Sequence, residues 1–409
     1  MRRISAIEVA LFFTAFVAAT YGFGIYLFAS LAAEMRRDLG FDYVTVGLVT
    51  GIAQGGFLIA SLLSGLLAPA IGAMRLILGA VTATTLSLIL MYWLPGVPMM
   101  GVLLTIMGAS AAAVWVPMVA VSQQAIPAQH QGKALGLMSS GTSYGVFLNG
   151  LIVPPVVGGF GWRGVWLIVG LLALALLTAG WLRLRKLTAA NRDRLMMPRV
   201  PLANRLRDAL RPLGLLVIAT MFLNGLACMP FQTYLVPLMR EDFGWSVDLS
   251  TRVWTLIGAV GMVSGLALGW LADRISVKWA MLVTYLLLLA AALLTLAAPH
   301  VIAPSPLLMN TAGLLFGLAF YAIFGLVPAY VSASFRGDAA TLLFGLGNIA
   351  LGLGGLLGNV IGGYAKSIAG SFTPIYAIVA LATVILVMLA LATPNERRRL
   401  TQSPAPCAI

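Results

Sequence analysis

Two stretches of this chain read alike: residues 141–159 are GTSYGVFLNGLIVPPVVGG, and residues 345–363 are GLGNIALGLGGLLGNVIGG. Both are apolar and glycine-rich, and four glycines of each align at a constant offset of 204 residues. The aligned glycines are Gly141, Gly150, Gly158 and Gly159 in the first stretch and Gly345, Gly354, Gly362 and Gly363 in the second. The same offset relates Asp38-Leu-Gly-Phe41 to Asp242-Phe-Gly-Trp245. One offset shared by such distant segments predicts two similar halves in parallel arrangement.

The composition places both halves in a membrane. Of the 409 residues, 61% are hydrophobic and only 9% are charged, whereas a soluble domain carries about 25% charged residues. This balance excludes a soluble enzyme, a disordered protein and a small disulfide-rich secreted scaffold. The apolar runs are continuous over about 20 residues or more, which is typical of membrane-spanning helices and not of the alternating strands of a barrel.

A hydropathy window of about 19 residues predicts an all-α polytopic fold with twelve transmembrane helices, six in each half. The predicted spans lie near 7–33, 43–70, 74–94, 97–123, 132–157, 163–183, 213–239, 250–272, 277–298, 306–331, 339–365 and 372–393. The predicted domains are an N-terminal half, a basic linker, a C-terminal half and a tail, at residues 1–183, 184–212, 213–394 and 395–409.

The basic residues predict the orientation of the chain. Of the 25 Lys and Arg residues, 19 fall on the side of both termini and the linker, and six fall on the other side. Because cytoplasmic loops are enriched in Lys and Arg, we expect both termini and the linker to be cytoplasmic, in a multi-pass protein of the cytoplasmic (inner) membrane. The net charge of +13 then reflects topology, and nucleic acid is not an expected partner.

One loop carries a recognisable motif. Residues 269–278 read GWLADRISVK, which resembles the Gly-x-Leu-Ala-Asp-Arg-x-Gly-x-Lys motif of the major facilitator superfamily, with Ser276 in place of the later glycine. The equivalent residues 65–72, GLLAPAIG, lack the acidic and basic pair. The resemblance extends to the six-plus-six spans and covers the whole chain. It implies a gating role, on the cytoplasmic side, for Asp273, Arg274 and Lys278. The alternative is that Asp273 and Arg274 form a solvated ion pair that contributes only about 0–1 kcal/mol to stability.

The stretch 141–159 also resembles a span-five motif of antiporter-type members, Gly-x8-Gly-x3-Gly-Pro-x2-Gly-Gly. Residues that fit it are Gly141, Gly150, Pro155, Gly158 and Gly159, and span eleven carries Gly345, Gly354, Gly358, Gly362 and Gly363. Small residues let membrane helices approach closely. These residues are therefore expected to serve helix packing, either generally or as the surface on which one half rocks past the other.

A weaker resemblance connects the chain to bacterial monocarboxylate and oxalate/formate exchanger relatives. It rests on Tyr21-Gly-Phe-Gly24 in span one and Gly161-Trp-Arg-Gly164 before span six. Those relatives commonly place an arginine midway along span eight, where this chain has none and Arg252 lies only at the end of the span. The missing arginine argues against carboxylate transport by the route of those relatives. The span-five motif favours efflux by antiport, and uptake of a monocarboxylate-like solute is the alternative.

The substrate site is predicted from uncharged polar and aromatic side chains in mid-span positions. The candidates are Tyr21, Trp115, Asn149, Asn224, Gln232, Asn310, Tyr321 and Asn348. The resemblance implies that spans one, four, seven and ten line the cavity. Phenol, indole and amide groups suit a neutral or amphipathic solute. The alternative is that these side chains only form hydrogen bonds between helices, each of which contributes about 0.6 kcal/mol to the stability of the bundle.

The predicted function is secondary active transport of a small organic solute by alternating access, without a metal or another cofactor. A membrane-embedded enzyme would need clustered His, Asp or Glu, and His130 and His300 stand far apart. A receptor or scaffold would carry a sizeable soluble domain. The expected partners are the solute, the lipid bilayer and either a coupling proton or a counter-substrate. A coupling proton would be carried by Glu34 or Asp38, or by the titration of the solute itself. We expect a monomer.

Overall fold

The ranges that the computed structural model describes are 5–125, 137–184, 206–207, 210–300, 305–335 and 337–395. Within them, eleven helical segments are long and apolar enough to cross a membrane. The longest, Leu137–Leu184, has 48 residues. A straight helix of that length would measure about 72 Å, which is more than twice the roughly 30 Å of a bilayer core.

Gly161 divides this longest segment into two spans. Its φ is +67°, a left-handed conformation that glycine adopts without steric cost and that interrupts a helix. The residues before Gly161 form span five, and those after it form span six. The twelve predicted spans are therefore all present in the described part of the chain, and the all-α polytopic fold is confirmed.

We number the helices α1 to α12 in chain order. The first is Ala6–Leu39, Gly141–Leu184 comprises α5 and α6 on either side of Gly161, and α7 continues through a π-helical turn at Leu238–Asp242. The remaining helices are Tyr43–Ile71, Ala73–Leu90 and Val97–Ala125 for α2 to α4, and Pro212–Pro237, Val247–Ile275, Val277–Ala297, Pro306–Ser334, Gly337–Ala369 and Thr373–Ala392 for α7 to α12.

The helix ends lie on two faces of the bundle. Because each half has an even number of spans, the start of α1 and the ends of α6 and α12 lie on one face, which we call the linker face. The opposite face, which we call the far face, carries Gly40 and Gly244 at the ends of α1 and α7, again 204 residues apart. Most of the predicted linker and tail, at 185–205 and 396–409, lies outside the described residues.

Local sequence explains where several helices begin. Ser5 and Glu8 form a capping box at the start of α1, in which each side chain accepts a hydrogen bond from the other's backbone N–H. Asp42 accepts from the Thr45 backbone N–H at 2.8 Å and caps α2. These oxygens satisfy backbone donors that the first helical turn leaves without a partner.

The halves meet along two long helix pairs. In the described residues, α2 packs on α11 and α5 packs on α8, while the far-face end of α1 contacts α7. Within each half, α1 packs on α5 and α7 packs on α11. The candidate site lies where residues of α4, α7, α10 and α11 line a cavity shared by the two halves.

Candidate substrate cavity and gates

Helix α1 departs from α-helical geometry where it passes the centre of the bundle. Residues Ala18–Ile25 are π-helical, a rare geometry that often marks functional sites. A Cβ at Gly22 would overlap Gly145, so α1 and α5 touch backbone to backbone. Asn149 of α5 donates its Nδ2 to the Gly22 carbonyl at 2.7 Å. The predicted site residue Asn149 therefore ties α5 to the π-helical segment of α1.

A small cavity of about 30 Å³ lies among α4, α7, α10 and α11. Its lining residues are Trp115, Met221, Ile323, Phe324, Pro328, Phe344, Asn348 and Leu351. Two of the eight predicted substrate residues, Trp115 and Asn348, are among them, and no lining residue is ionisable. Cavities that hold small organic ligands usually measure about 300–1,000 Å³, so this one must widen to admit an organic solute.

Aromatic rings of α1 and α2 adjoin this cavity. The ring of Tyr21 meets that of Trp115 edge-on, with centroids 6.3 Å apart, and it meets Phe57 in the same way at 6.0 Å. The π-helical segment of α1 carries Tyr21. The structure thus joins the predicted residues Tyr21 and Trp115 in one aromatic wall, to which Phe57 is an addition that the mid-span search for polar groups missed.

An aromatic column extends from the cavity towards the far face. Phe316, Phe320 and Phe324 recur at four-residue steps on α10, with ring centroids 5.4 Å apart for the first pair and 5.1 Å for the second. Phe231 of α7 stacks on Phe316 at 4.0 Å, and Tyr26 of α1 meets Phe320 at 6.1 Å. The four-residue spacing of the phenylalanines was visible in the sequence, but sequence alone did not distinguish it from lipid-facing packing.

Four of the predicted substrate residues keep a buried polar atom without a hydrogen-bond partner in the described structure. They are the Oδ1 atoms of Asn149 and Asn224, the Nε2 atom of Gln232 and the hydroxyl of Tyr321. Such groups are uncommon in folded proteins, because leaving one unpaired costs about 1–3 kcal/mol. Each is therefore a position where a solute or water could supply the missing partner.

The other contacts of these residues differ from one to the next. Asn224 donates to the Tyr285 hydroxyl at 3.2 Å. The Tyr321 ring covers Gly261 of α8, where a Cβ would overlap it, and Ser143 of α5 adjoins the same glycine. Tyr321 therefore lies beside the seam between α5 and α8.

Two candidates lie apart from that group. Asn348 lines the cavity but donates its Nδ2 to the Phe344 carbonyl of its own helix at 2.9 Å. Asn310 lies near the start of α10, eleven residues before Tyr321, which corresponds to about 16 Å along a helix axis. The structure therefore brings most of the candidates towards the centre and places Asn310 near the far face.

The predicted glycine positions fall into three groups. Cβ atoms at Gly354, Gly358 and Gly362 would meet Phe222, Leu226 and Tyr234 of α7, and one at Gly141 would meet Thr14 of α1, so these glycines pack within a half. Cβ atoms at Gly150 and Gly363 would meet Thr255 of α8 and Tyr43 of α2, across the halves. Gly158, Gly159 and Gly345 have open space around them.

Pro155 lines a second, wider space. A cleft of about 440 Å³ lies between α5 and α8, with Pro154, Pro155 and Leu151 on one wall and Thr255 and Leu256 on the other. Two further cross-half contacts, unpredicted from the sequence, adjoin it: a Cβ at Gly258 would overlap Phe147, and one at Gly261 would meet Ser143. The α5–α8 seam thus has close backbone contact beside an open cleft.

The predicted linker-face gate lies where α8 ends and α9 begins. Asp273 is exposed there, and the Arg274 guanidinium lies over the Trp270 ring at 4.3 Å. Lys278 donates to the Leu391 carbonyl near the end of α12 at 2.9 Å. These contacts of Arg274 and Lys278 are within the C-terminal half.

Two ion pairs join the halves on the far face. Arg36 of α1 binds Glu241 of α7 with an N···O distance of 2.8 Å, and Arg240 of α7 binds Glu34 of α1, also at 2.8 Å. Sequence reasoning placed Glu34 and Asp38 on this face but did not pair any of these residues. Asp38 instead binds Arg163 within the N-terminal half.

Comparisons with known proteins agree with this architecture. The gallate transporter of Pseudomonas putida is 21% identical over 416 residues, covering 93% of this chain and 90% of that protein. The crystal structure of a mutant of the nucleoside transporter NupG matches with a TM-score of 0.74 and 14% identity, covering 94% of this chain and 99% of that one. A bacterial homologue of the human lysosomal transporter Spinster, in an inward-facing and unoccupied conformation, matches with a TM-score of 0.72 and 15% identity over 99% of this chain and 100% of that one.

The two structural likenesses establish the fold, and a family model identifies the family. The model described as Major Facilitator Superfamily matches residues 13–358 and also 231–406. These ranges include both halves and every helix that contributes to the central cavity. The chain therefore belongs to the Major Facilitator Superfamily.

Proposed function

We propose that this transporter of a small organic solute carries an aromatic, hydroxyl-bearing molecule by alternating access between its two halves. The observation that carries the proposal is the cavity lining, which combines Trp115, Phe324 and Phe344 with one amide, Asn348, and contains no ionisable group. Such a lining favours a flat, largely uncharged ring held by stacking and neutral hydrogen bonds.

Specificity for hydroxyl groups would come from the unpartnered polar atoms of four candidate residues. Asn149 Oδ1 and Asn224 Oδ1 accept hydrogen bonds, Gln232 Nε2 donates them, and the Tyr321 hydroxyl does either. A solute that supplies the missing partners gains free energy, whereas one that leaves them unpaired does not. A ring carrying hydroxyl groups therefore fits this set better than a plain hydrocarbon ring.

The gallate transporter relative supports the same class of solute. Gallate is a benzene ring with three hydroxyl groups and one carboxylate. The cavity-lining residues offer no cation for that carboxylate, and an unpaired charge in a dry site is costly. We therefore propose that the ring and hydroxyls are the main determinants and that the carboxylate contributes less.

A ligand-stabilisation experiment tests this proposal. Purified protein is heated with equal concentrations of pyrogallol, gallate, benzoate or cyclohexanecarboxylate, because ligands that bind only the folded state raise the melting temperature. We expect pyrogallol and gallate to raise it more than benzoate, and cyclohexanecarboxylate to leave it unchanged. Equal stabilisation by cyclohexanecarboxylate and gallate would refute recognition of the aromatic ring. Stabilisation by gallate and benzoate but not by pyrogallol would show that the carboxylate is the main determinant.

For the direction of transport we propose efflux by antiport, supported by the resemblance of 141–159 to the antiporter motif. Uptake of a monocarboxylate-like solute is the alternative. Entry of labelled solute into proteoliposomes separates the two, because antiport requires a counter-substrate inside. Entry only into vesicles preloaded with unlabelled solute supports antiport, and equal entry into empty vesicles supports the uptake alternative. We also propose that the linker face is cytoplasmic, that the membrane is the inner membrane and that the protein works as a monomer.

A further inference from the structure

The far face is joined by two reciprocal arginine–glutamate pairs. Arg36 and Arg240 occupy equivalent positions in the two halves, 204 residues apart, and each reaches across to a glutamate of the other half. Arg36 places Nε and Nη2 at 2.9 and 2.8 Å from Glu241 Oε1. Arg240 places the same atoms at 3.0 and 2.8 Å from Glu34 Oε1. The glutamates themselves are not at equivalent positions.

These pairs are more sheltered than an ordinary surface pair. Side-chain exposure is 12% for Arg240 and 13% for Glu34, and 29% for Arg36 and 14% for Glu241. Arg252 and Asp248, a far-face pair within α8, are 69% and 59% exposed. Water screens exposed pairs until they contribute little. Sheltered arginine–carboxylate pairs across an interface are stronger, and removing one partner leaves a costly unpaired charge.

Further contacts hold the arginines in place. Arg240 also donates to the Trp245 carbonyl, and the Arg36 guanidinium lies 5.1 Å from the centre of the Tyr43 ring. The π-helical turn Leu238–Asp242 carries Arg240 together with Glu241. The pairs are therefore built from ordered ends of α1 and α7 and not from free loops.

The aspartates of the repeated motif anchor the same helix ends, but within each half. Asp38 accepts from Trp162 Nε1 at 3.1 Å and binds Arg163. Asp242, its equivalent, binds Lys366 at 2.9 Å. Each half thus fixes its own helix end with an aspartate and reaches the other half with an arginine. Tyr43 of α2 adds an aromatic contact across the halves, edge-on to Phe372 with ring centroids 5.0 Å apart.

We propose that Glu34, Arg36, Arg240 and Glu241 form a far-face lock, a gate that must open for the solute to exchange with the far side. This inference rests on the proposed alternating access and adds the residues that hold one of its two states. Tyr26 and the aromatic column lie deeper on the same path. A solute moving between the far side and the cavity would pass between α1 and α7, where the lock joins them.

The experiment measures opening without any solute. Ser30 lies one turn before Glu34 on α1, its side chain is 1% exposed, and its hydroxyl has no hydrogen-bond partner in the described structure. Ser30→Cys in a Cys228→Ala, Cys407→Ser background therefore places a thiol behind the lock with little change in shape. Its labelling rate with a membrane-impermeant maleimide reports how often the far face opens.

Removing one pair should accelerate that labelling. The variant Arg36→Gln with Glu241→Gln leaves no unpaired charge, and we expect about a tenfold higher rate, since close interfacial charge pairs contribute about 1.5 kcal/mol or more. The reversed pair, Arg36→Glu with Glu241→Arg, should restore a rate near that of the parent. The matched control is Arg252→Gln with Asp248→Asn. It removes an exposed pair that lies within one helix beside the α5–α8 cleft and does not bridge the halves, so it should leave the rate unchanged.

Two outcomes would overturn the lock: an unchanged labelling rate in the folded neutral variant, or equal acceleration in the control. If the neutral variant does not fold, Arg36→Lys is used instead. Lysine keeps the charge but cannot place two N–H donors on Glu241 as Arg36 does, so the labelling rate should be intermediate. A parental labelling rate in Arg36→Lys would equally overturn the lock. Because labelling needs no solute, failure of the aromatic-solute proposal would leave the labelling result intact. Likewise, failure of the lock would leave the ligand-stabilisation result intact.

Discussion

Gly72 and Ser276 occupy equivalent positions in the two halves and share a backbone conformation that favours glycine. The φ angle is +95° at Gly72 and +151° at Ser276, and Ser276 is the one non-glycine residue with positive φ in the described ranges. Both residues precede the helix that follows the motif loop. The family motif's glycine at this position therefore has a conformational cause, and Ser276 occupies the position under strain of about 1–3 kcal/mol.

Ser276→Gly should stabilise the protein. The substitution relieves the strained φ, while the hydroxyl that caps α9 from 3.4 Å is a long hydrogen bond whose loss to glycine costs only a few tenths of a kcal/mol. We expect a gain of about 0.5–1 kcal/mol, seen as a higher melting temperature in detergent. Ser276→Ala, which keeps the strain and loses the cap, should lower it, and a less stable Ser276→Gly protein would contradict this account.

The glycines of α11 should differ sharply in their tolerance of alanine. A Cβ at Gly354 would overlap the Phe222 carbonyl, whereas one at Gly345 meets nothing within 4 Å. Gly354→Ala should therefore destabilise the protein by about 1–3 kcal/mol or more, and Gly345→Ala should be close to neutral. Thermal unfolding of the two variants checks this, and equal melting temperatures would show that the α7–α11 contact is looser than described.

Trp115 and Tyr321 should matter more for solute binding than any single acid. Trp115→Ala removes a lining ring, and we expect about tenfold weaker binding, with a similar loss for Tyr321→Ala. Tyr321→Phe should be milder if the ring matters more than its hydroxyl. Asn310→Ala is the control and should leave binding unchanged, because Asn310 lies near the far-face start of α10, away from the cavity. Binding is measured with the solute that the stabilisation screen identifies.

Glu8→Gln tests whether an acidic side chain takes part in transport. Glu8 belongs to the capping box at the linker face, away from the cavity, so its neutralisation should leave solute transport largely intact. Complete loss of coupled transport in a folded Glu8→Gln protein would place Glu8 on the pathway and contradict an uncharged cavity.

The residues of the linker-face motif should separate into gating and structural roles. Asp273→Asn should slow transport with little change in melting temperature, as expected of a gate. Lys278→Met removes the donor to the Leu391 carbonyl and should lower stability by about 0.5–1.5 kcal/mol. Normal transport by Asp273→Asn would instead assign the loop to the solvated-pair alternative.

Single cysteines test the orientation. Ala190→Cys, in the linker, should label only from the cytoplasm, and Arg37→Cys, exposed on the far face, should label only from outside. Both are made in the Cys228→Ala, Cys407→Ser background used for the lock. The opposite pattern would invert the topology and would place the far-face lock on the cytoplasmic side.

Composition and the 204-residue repeat were sufficient to predict the architecture. Continuous apolar runs must form helices in a bilayer, since their backbone groups find hydrogen-bond partners only within the same segment. Twelve such runs and one internal offset therefore specified twelve spans in two similar halves. The motif at 269–278 indicated the family and showed Ser276 in place of a glycine, but only the φ angle of the structure revealed that this position is strained.

Tertiary structure alone decided which helix faces meet across the halves. Arg36 and Glu241 are 205 residues apart, and the aromatic column joins Tyr26, Phe231 and Phe320 from three helices. Side chains so distant in sequence interact only after the helices have rotated and packed, and hydropathy carries no information on that rotation. The π-helical segment of α1, where Gly22 approaches Gly145 and accepts from Asn149, was not predictable for the same reason.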